Sequence, residues 1–170
     1  MTALRVLMAL ALGIGIGAGI GAGASEARDL RPLPKATVSI PVSNPQATAR
    51  DLLSAMNAER RAQGLRKLRL NSALSKAAQA HVDDMIRRNY FAHIAPNGSR
   101  PIHRANAAGY KGCMVAENLS YSWKTIDLAM AGWMQSSGHR ANLLNREMKD
   151  VGIGIGPNNL FVAVFAKPCR

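Results

Sequence analysis

The spacing of apolar residues predicts two long helices in the first half of the chain. The first begins at the Asn44-Pro45 pair, a side-chain cap followed by a proline suited to a first helical turn, and ends near Gln63, before Gly64. Its inward face carries Leu52, Leu53 and Met56. The second helix has a continuous apolar face at three- and four-residue intervals, made of Leu74, Ala77, Ala78, His81, Val82, Met85 and Ile86. Because His81 lies within this stripe, we predict that it packs with a satisfied hydrogen bond and binds no ligand.

The second half of the chain alternates between helical and strand-like patterns. Residues 101–108 are predicted to form a short helix, residues 113–121 a strand, and residues 125–136 an amphipathic helix. Residues 151–156 and 160–166 read as a β-hairpin across a Pro-Asn-Asn turn. Glycine alternates with β-branched residues in the first hairpin strand, which predicts that a helix or a loop approaches the sheet closely there.

The N-terminal segment has a different pattern, with a basic start, an uninterrupted apolar run and small residues at its end. We interpret residues 1–24 as a secretory signal peptide, and a membrane anchor is the alternative because the run is about long enough to span a bilayer. Residues 25–44 are proline-rich and predict an extended lead-in. The folded domain is then residues 45–170, placed outside the cell or in the periplasm.

The net charge of the chain indicates which kinds of binding partner to expect. The formal net charge is +12. A basic group lies around the first interhelical turn, at Arg60, Arg61, Arg66, Lys67 and Arg69. We predict a solvated surface, with association to an anionic envelope surface as the alternative. The group contains no aromatic residues on which bases could stack, so we expect no nucleic-acid partner, and we expect a monomer.

The sequence contains two cysteines, Cys113 and Cys169. In an oxidising compartment an even pair is expected to form a disulfide, here closing a long loop. A free nucleophilic Cys113 is the alternative, although no residue pattern that would activate a thiol is visible around it.

The candidate chemistry lies in three short polar motifs. His93 follows Phe91 in a turn-rich segment, Glu117 lies in an Ala-Glu-Asn-Leu run, and His139 follows a Ser-Ser-Gly cap. Imidazole and carboxylate groups bind divalent metals and transfer protons near neutral pH. Each could instead have a structural role, with Glu117 accepting backbone hydrogen bonds and His139 starting a short helix.

In this order the motifs resemble the CAP superfamily, or SCP domain, of cysteine-rich secretory, antigen 5 and pathogenesis-related 1 proteins. The resemblance covers about residues 45–166. It is carried by Met56-Asn57-x-x-Arg60, Asn89-Tyr90-Phe91-x-His93, Ala116-Glu117-Asn118-Leu119, Trp133-x-x-Ser136-x-x-His139-Arg140-x-x-Leu143-Leu144 and Val151-Gly152-Ile153-Gly154. It implies an α+β fold, a three-layer α-β-α sandwich around a central, mainly antiparallel sheet.

The resemblance also implies a cleft where His93, His139 and Glu117 meet, with Zn²⁺ or another divalent cation held by the two histidines. The family's second acidic residue is missing here, and the short helix after His93 offers His103 and Arg104 instead. Pointing into the cleft, Arg104 would repel a cation but could hold a phosphate or a carboxylate. The sequence leaves the direction of Arg104 open.

These features lead to one main functional hypothesis and two alternatives. The main hypothesis is an exported binding module whose cleft takes a divalent cation or a small anionic or lipidic ligand. The enzymatic alternative is a metal- or His/Glu-assisted hydrolase of peptides or cell-wall material, with Glu117 as its base. The sequence lacks the Gly-x-Ser-x-Gly and His-Glu-x-x-His motifs of common hydrolases. The third is a structural envelope protein with an unused cleft.

Overall fold

The structure is a computed structural model that describes residues 30–35 and 42–169. The interpretation of residues 1–24 as a signal peptide concerns residues outside this part of the chain. Within the described ranges, no helix has both the length and the apolar character needed to cross a membrane.

The described residues form a mixed helix and sheet fold. Its helices are α1 Pro45–Ala62, α2 Ser72–Arg88, α3 Pro101–Ala107, α4 Ile126–Gln135 and α5 Ser137–Leu144. Its strands are β1 Arg69–Leu70, β2 Gly112–Ser120, β3 Asp150–Gly156 and β4 Leu160–Pro168. The sheet order is β1-β3-β4-β2, in which β1 runs parallel to β3 and the other neighbours are antiparallel.

Two apolar clusters lie on opposite faces of the sheet. Helices α1, α4 and α5 cover one face, where side chains such as Leu52, Met56, Trp133 and Leu143 meet Phe161 and Phe165 of β4. Helices α2 and α3 cover the other, where Leu74, Val82 and Met85 meet Leu160, Val162 and Val164. Successive β4 side chains alternate between the faces, as a strand buried on both sides requires. The predicted α+β three-layer sandwich is confirmed.

The predicted helix boundaries also hold. The Asn44 side chain accepts a hydrogen bond from the Ala47 amide at 2.9 Å, and Asn71 accepts one from the Leu74 amide at 3.1 Å. These contacts satisfy amides that have no partner in the first turn of a helix. Helix α2 ends at Arg88, and the next residue, Asn89, has a φ of 51° that breaks the helical repeat.

The glycines of β3 set how closely α2 lies on the sheet. A Cβ atom added at Gly152 would lie 2.0 Å from the Leu74 carbonyl carbon, and one at Gly154 would lie 2.6 Å from that of Ala78. Both distances are far below van der Waals contact, and the close neighbours are helix backbone. The close approach predicted from the alternating glycines is therefore made by α2.

The predicted disulfide between Cys113 and Cys169 is present and links the start of β2 to the chain after β4.

Two expectations about burial are wrong. Ile86 is 42% exposed, because it lies in the last turn of α2 and reaches only the end of the sheet beside Gly156. Arg60, expected at a solvated surface, is fully buried.

Arg60 is buried because it joins three segments through their carbonyl groups. Its guanidinium donates to the carbonyls of Arg66, Leu143 and Asn145 at 2.7–2.9 Å, and to that of Met148 at 3.3 Å. Burial disfavours the charged form and lowers the pKa of Arg60. Two of the acceptors, Leu143 and Asn145, lie at the carboxyl end of α5, where a cation is favoured by the helix dipole.

The described residues of the lead-in pack more than the sequence suggests. Arg31 pairs with Phe91 in an isolated bridge, and the Phe91 amide donates to the Arg31 carbonyl at 2.7 Å. Leu33 packs against the apolar cluster beneath α2. A stretch rich in proline can still lie along a folded surface, because an extended chain leaves backbone groups free to pair.

The α2–β3 contact gives a test of the fold. We expect Gly152→Ala to lower the free energy of unfolding by at least about 1–3 kcal/mol, because the new methyl group meets helix backbone that cannot rotate away. The matched control is Gly138→Ala in α5, where an added Cβ has open space. It should be neutral or slightly stabilising. Equal losses in urea unfolding would show that the glycine does not set the α2–β3 spacing.

Candidate functional site

The candidate site lies along β2, which is an outer strand of the sheet. Side chains of a strand alternate between faces, so neighbours in the Ala-Glu-Asn-Leu run point in opposite directions. Glu117 and Leu119 face the layer of α2 and α3. Asn118 faces α5, where its side-chain oxygen accepts from Asn142 at 3.0 Å. One short motif therefore contacts both helical layers.

Glu117 is at the centre of a buried network of charged and polar groups. Its side chain is 1% exposed. Oε1 lies 3.0 Å from His93 Nδ1 and 3.8 Å from His81 Nε2, while Oε2 accepts from Arg104 Nη2 at 2.8 Å. A carboxylate buried to this degree needs such partners, because it has lost its contact with water.

Arg104 points towards Glu117, which answers the question that the sequence left open. Its side chain is 11% exposed. Besides the ion pair, its guanidinium donates to the Ser99 carbonyl at 2.7 Å and to the His93 carbonyl at 3.0 Å. Arg104 thus orders the segment that carries His93 and compensates the buried carboxylate, so both of its terminal nitrogens are engaged by protein acceptors.

The contact with Glu117 also orients the imidazole of His93. A carboxylate can only accept, so Nδ1 of His93 carries the hydrogen in this contact. The neutral ring then has its lone pair on Nε2. The side chain is 50% exposed, and His93 lines the cleft described below.

His139 reaches the same place from α5 on the other side of β2. Its backbone carbonyl accepts from Asn118 Nδ2 at 3.0 Å, which fixes the first turn of α5 against the strand. The pKa of His139 is lowered, first by burial and then by the nearby His93. The neutral form of His139 is therefore favoured at neutral pH.

Both histidines line an open cleft of about 400 Å³. The other lining residues are Leu30, Arg31, Phe91, Ala92, Ile94 and Leu119. Two imidazoles predicted from separate motifs therefore share one cleft, while Glu117 and Arg104 lie behind His93. The contribution of Leu30 and Arg31 was missed, because nothing in their sequence indicates that the lead-in reaches the cleft.

His81 is the other residue that sequence reasoning left out. It is buried, as predicted, and its Nε2 lies 2.9 Å from the Ala92 carbonyl. It also neighbours Glu117 from within α2. Burial lowers the pKa of His81, and the charge of Glu117 opposes this in part. The only sequence signal was a titratable side chain placed in an otherwise apolar helix face.

Comparison with known proteins shows the family of the chain. The cysteine-rich secretory protein family, CAP, matches residues 53–165, about two thirds of the chain. The chain belongs to the CAP family. The protein YkwD of Bacillus subtilis (strain 168) is 36% identical over 118 residues, which are 69% of this chain and 46% of that protein. The membrane protein YlbC of the same organism is 29% identical over 106 residues, or 62% of this chain and 31% of that protein.

Solved structures show the same fold. An extracellular SCP-domain protein from Bacillus anthracis str. Ames aligns with a TM-score of 0.69 and 24% identity, over 76% of this chain and 45% of that one. An outer surface protein from Borrelia burgdorferi aligns with a TM-score of 0.67 and 19% identity, over 78% of this chain and 98% of that one. This CAP domain spans less than half the length of the curated relatives it matches.

A metal in this CAP domain would have two protein donors from the cleft. In the part of the chain that the structure describes, no three His, Cys, Asp or Glu side chains cluster in a way that suits a metal ion. Glu117 is engaged by Arg104 and His93, which removes it as a third ligand. The imidazoles of His93 and His139 are then the donors that the cleft offers, fewer than the three or four protein ligands of common zinc sites.

The network around Glu117 predicts a large stability effect. We expect Glu117→Gln to lower the free energy of unfolding by on the order of 3 kcal/mol, because it leaves the buried Arg104 without its carboxylate. The matched control is Glu147→Gln, which removes a carboxylate that is 55% exposed and paired with Lys167. That change should cost less than about 1 kcal/mol in the same denaturant titration. Similar losses would contradict a buried, charge-compensating role for Glu117.

The lowered pKa values of His81 and His139 predict how stability depends on pH. The unfolded chain takes up protons near the ordinary histidine pKa of about 6.5, whereas the folded domain takes them up at lower pH. The contribution of the two histidines to the free energy of unfolding is therefore fully present above pH 6.5. It is lost as the pH falls from 6.5 through their folded-state pKa values. Each proton taken up on unfolding can change the free energy of unfolding by at most about 1.4 kcal/mol per pH unit.

Unfolding titrations between about pH 7 and 5.5 measure this slope, in a range above the ordinary carboxylate pKa values. We expect His81→Gln to reduce the slope, because glutamine cannot take up the proton and can still donate to the Ala92 carbonyl. The matched control is His103→Gln, whose parent side chain is exposed on α3. An unchanged slope in His81→Gln would show that the lowered pKa of His81 does not cause the pH dependence of stability.

Proposed function

We propose that this CAP domain is an exported binding module in which His93 and His139 hold a divalent cation at the cleft. The observation that carries the proposal is the contact between Glu117 and Nδ1 of His93. Metal-binding histidines commonly donate their second ring N–H to a carboxylate, which fixes the ring and leaves the other nitrogen for the metal. His139 supplies a second imidazole whose pKa is lowered, so a cation would displace few protons.

Imidazole nitrogens are suited to Zn²⁺ and to similar transition metals. A pair of histidines leaves coordination positions open, which agrees with a cation that also binds an anionic ligand from solution. Arg104 is turned into the protein by its pair with Glu117, so its charge is compensated and does not oppose a cation in the cleft.

Export is supported by the pattern of residues 1–24 and by the similar structures from B. anthracis and B. burgdorferi, which are an extracellular and an outer surface protein. A cleft outside the cell would meet cations and small ligands in the surrounding medium. Secretion or periplasmic placement and the cleavage of the leader remain part of the proposal.

A second candidate, a small anionic or lipidic ligand, is favoured by the walls of the cleft. Leu30, Phe91, Ile94 and Leu119 give it apolar surface beside the imidazoles. Pockets of this kind, apolar with a few polar groups, are typical of small-molecule sites. Such a ligand could use the walls for its apolar part and the imidazoles for its polar end.

The hydrolase alternative is favoured by the same His93–Glu117 contact, because a carboxylate behind a histidine is also the arrangement of a general base. In that case the double variant His93→Ala, His139→Ala would lose hydrolysis of peptides or cell-wall fragments while remaining folded. A wild-type protein without such hydrolysis contradicts the enzymatic alternative and leaves the binding proposal unaffected.

The cation proposal is tested by calorimetric titration of Zn²⁺ into protein purified without chelators and without a nickel column. We expect saturable binding and a thermal midpoint that rises with Zn²⁺ concentration, because binding to the folded state stabilises it. His93→Ala and His139→Ala should each weaken binding by at least about tenfold, through the loss of one of two ligands.

The matched control is His103→Ala, which removes an exposed histidine that does not line the cleft. It should bind Zn²⁺ like the wild type. Binding that is equal in all three single variants would place the metal elsewhere. A thermal midpoint that does not respond to excess Zn²⁺, Mn²⁺ or Ni²⁺ would overturn the cation proposal.

A further inference from the structure

The proposed function does not use two cavities that share the lining residue Arg50, one at the edge of the sheet opposite the cleft and one beside α1. Strand β1 pairs with β3 only at Asp150 and Val151, after which the chain turns into α2. Within the described residues, the rest of the outer edge of β3 therefore has no neighbouring strand. Space is left there between the first turns of α1, the end of β1 and the start of α2.

Two side chains of α2 occupy the hydrogen-bonding groups of this edge. Ser75 Oγ accepts from the Ile153 amide at 3.3 Å. Gln79 accepts from the Ile155 amide at 3.0 Å and donates to the Ile155 carbonyl at 3.1 Å. An added peptide strand would find these backbone groups already paired, so the cavity is poorly suited to bind a peptide by extending the sheet.

The first cavity, which we call the apolar cavity, has a volume of about 420 Å³. Its walls include Pro45, Ala49, Arg50, Leu70, Ile153 and Ile155. Leu70 is 48% exposed at its rim and adds apolar surface to the mouth of the cavity. The volume is within the range of small-molecule sites, roughly 300–1,000 Å³.

The second cavity, the basic cavity, shares the lining residue Arg50 with the first and has a volume of about 210 Å³. Arg50, Arg61 and Lys67 line it together with Leu53, Ser54 and Asn57, and no carboxylate is among its lining residues. None of these three cations forms a salt bridge with a carboxylate in the described part of the chain. Three like charges around one hollow repel one another unless an anion is present.

From this juxtaposition we propose that the two cavities together form a second binding site, for a monoacyl anionic phospholipid. Its phosphate would lie between Arg50, Arg61 and Lys67, because guanidinium groups bind phosphate oxygens in pairs and lysine adds a compact charge. Its acyl chain would fill the apolar cavity. Arg50 lines both cavities and therefore marks the place where head group and chain meet.

The site is independent of the cleft. The cleft follows β2 and the second site follows β3, at opposite edges of the sheet. The site also gives a role to the basic group around the first interhelical turn, of which Arg60 is buried and structural while Arg61 and Lys67 stay exposed.

The test is a calorimetric titration with lysophosphatidylglycerol below its micelle concentration. We expect saturable binding with one lipid per chain. The double variant Arg61→Gln, Lys67→Gln should weaken it at least tenfold, as lost charge-assisted hydrogen bonds to phosphate would. Leu70→Asp places a negative charge at the rim of the apolar cavity and should also weaken it at least about fivefold.

The matched control removes the same two charges elsewhere, as Lys76→Gln, Arg140→Gln, at exposed positions that line neither cavity. It should bind like the wild type, which separates a specific site from the effect of net charge. The double cleft variant His93→Ala, His139→Ala should also bind the lipid unchanged, so failure of the cation proposal and failure of this one are distinguishable.

Three outcomes would overturn the inference. Equal affinity for the zwitterionic lysophosphatidylcholine would show that the anionic charge is not recognised. Equal affinity for glycerol phosphate, which has no acyl chain, would show a site for small anions that does not use the apolar cavity. The absence of saturable lipid binding would remove the site altogether.

Discussion

The burial of a single carboxylate, Glu117, determines how the elements around the cleft are placed. Because the Glu117 side chain is only 1% exposed, its charge must be compensated within the protein. Its partners come from α2, from α3 and from the segment between them. Arg104 supplies the opposite charge and also holds the backbone of His93. The position of the exposed imidazole thus follows from charge compensation inside the domain.

Within the described residues, side chains pair with outward-facing backbone groups of β2 and of the part of β3 that lies beyond β1. On β2, Asn142 donates to the Glu117 carbonyl at 3.3 Å and Trp133 donates to that of Leu119 at 3.0 Å. On β3, side chains of α2 do the same. Backbone groups paired in this way are not available to a strand of another chain, which protects the sheet edges from such pairing.

The sequence predicted those features that depend on local pattern. Apolar periodicity located the long helices, and the alternating glycines of β3 indicated the close approach of α2. The sequence could not predict features that depend on long-range partners. Arg60 looks like its basic neighbours until the carbonyls of a distant helix end surround it, and the direction of Arg104 follows from a carboxylate on another element. In the same way, Ile86 belongs to the apolar face of α2 in the sequence pattern, but in the structure it lies past the end of the sheet and stays exposed.

The two imidazoles of the cleft are coupled through one strand. Because neighbouring residues of β2 point to opposite faces, Glu117 holds His93 through its side chain, while Asn118 holds the backbone of His139. The imidazole of His93 and the backbone of His139 are therefore both tied to β2, a strand hydrogen-bonded to β4, through two of its buried side chains. If His93 and His139 bind the proposed cation, residues tied to a strand in this way lose little backbone freedom, which favours a preformed binding site over one that closes around its ligand.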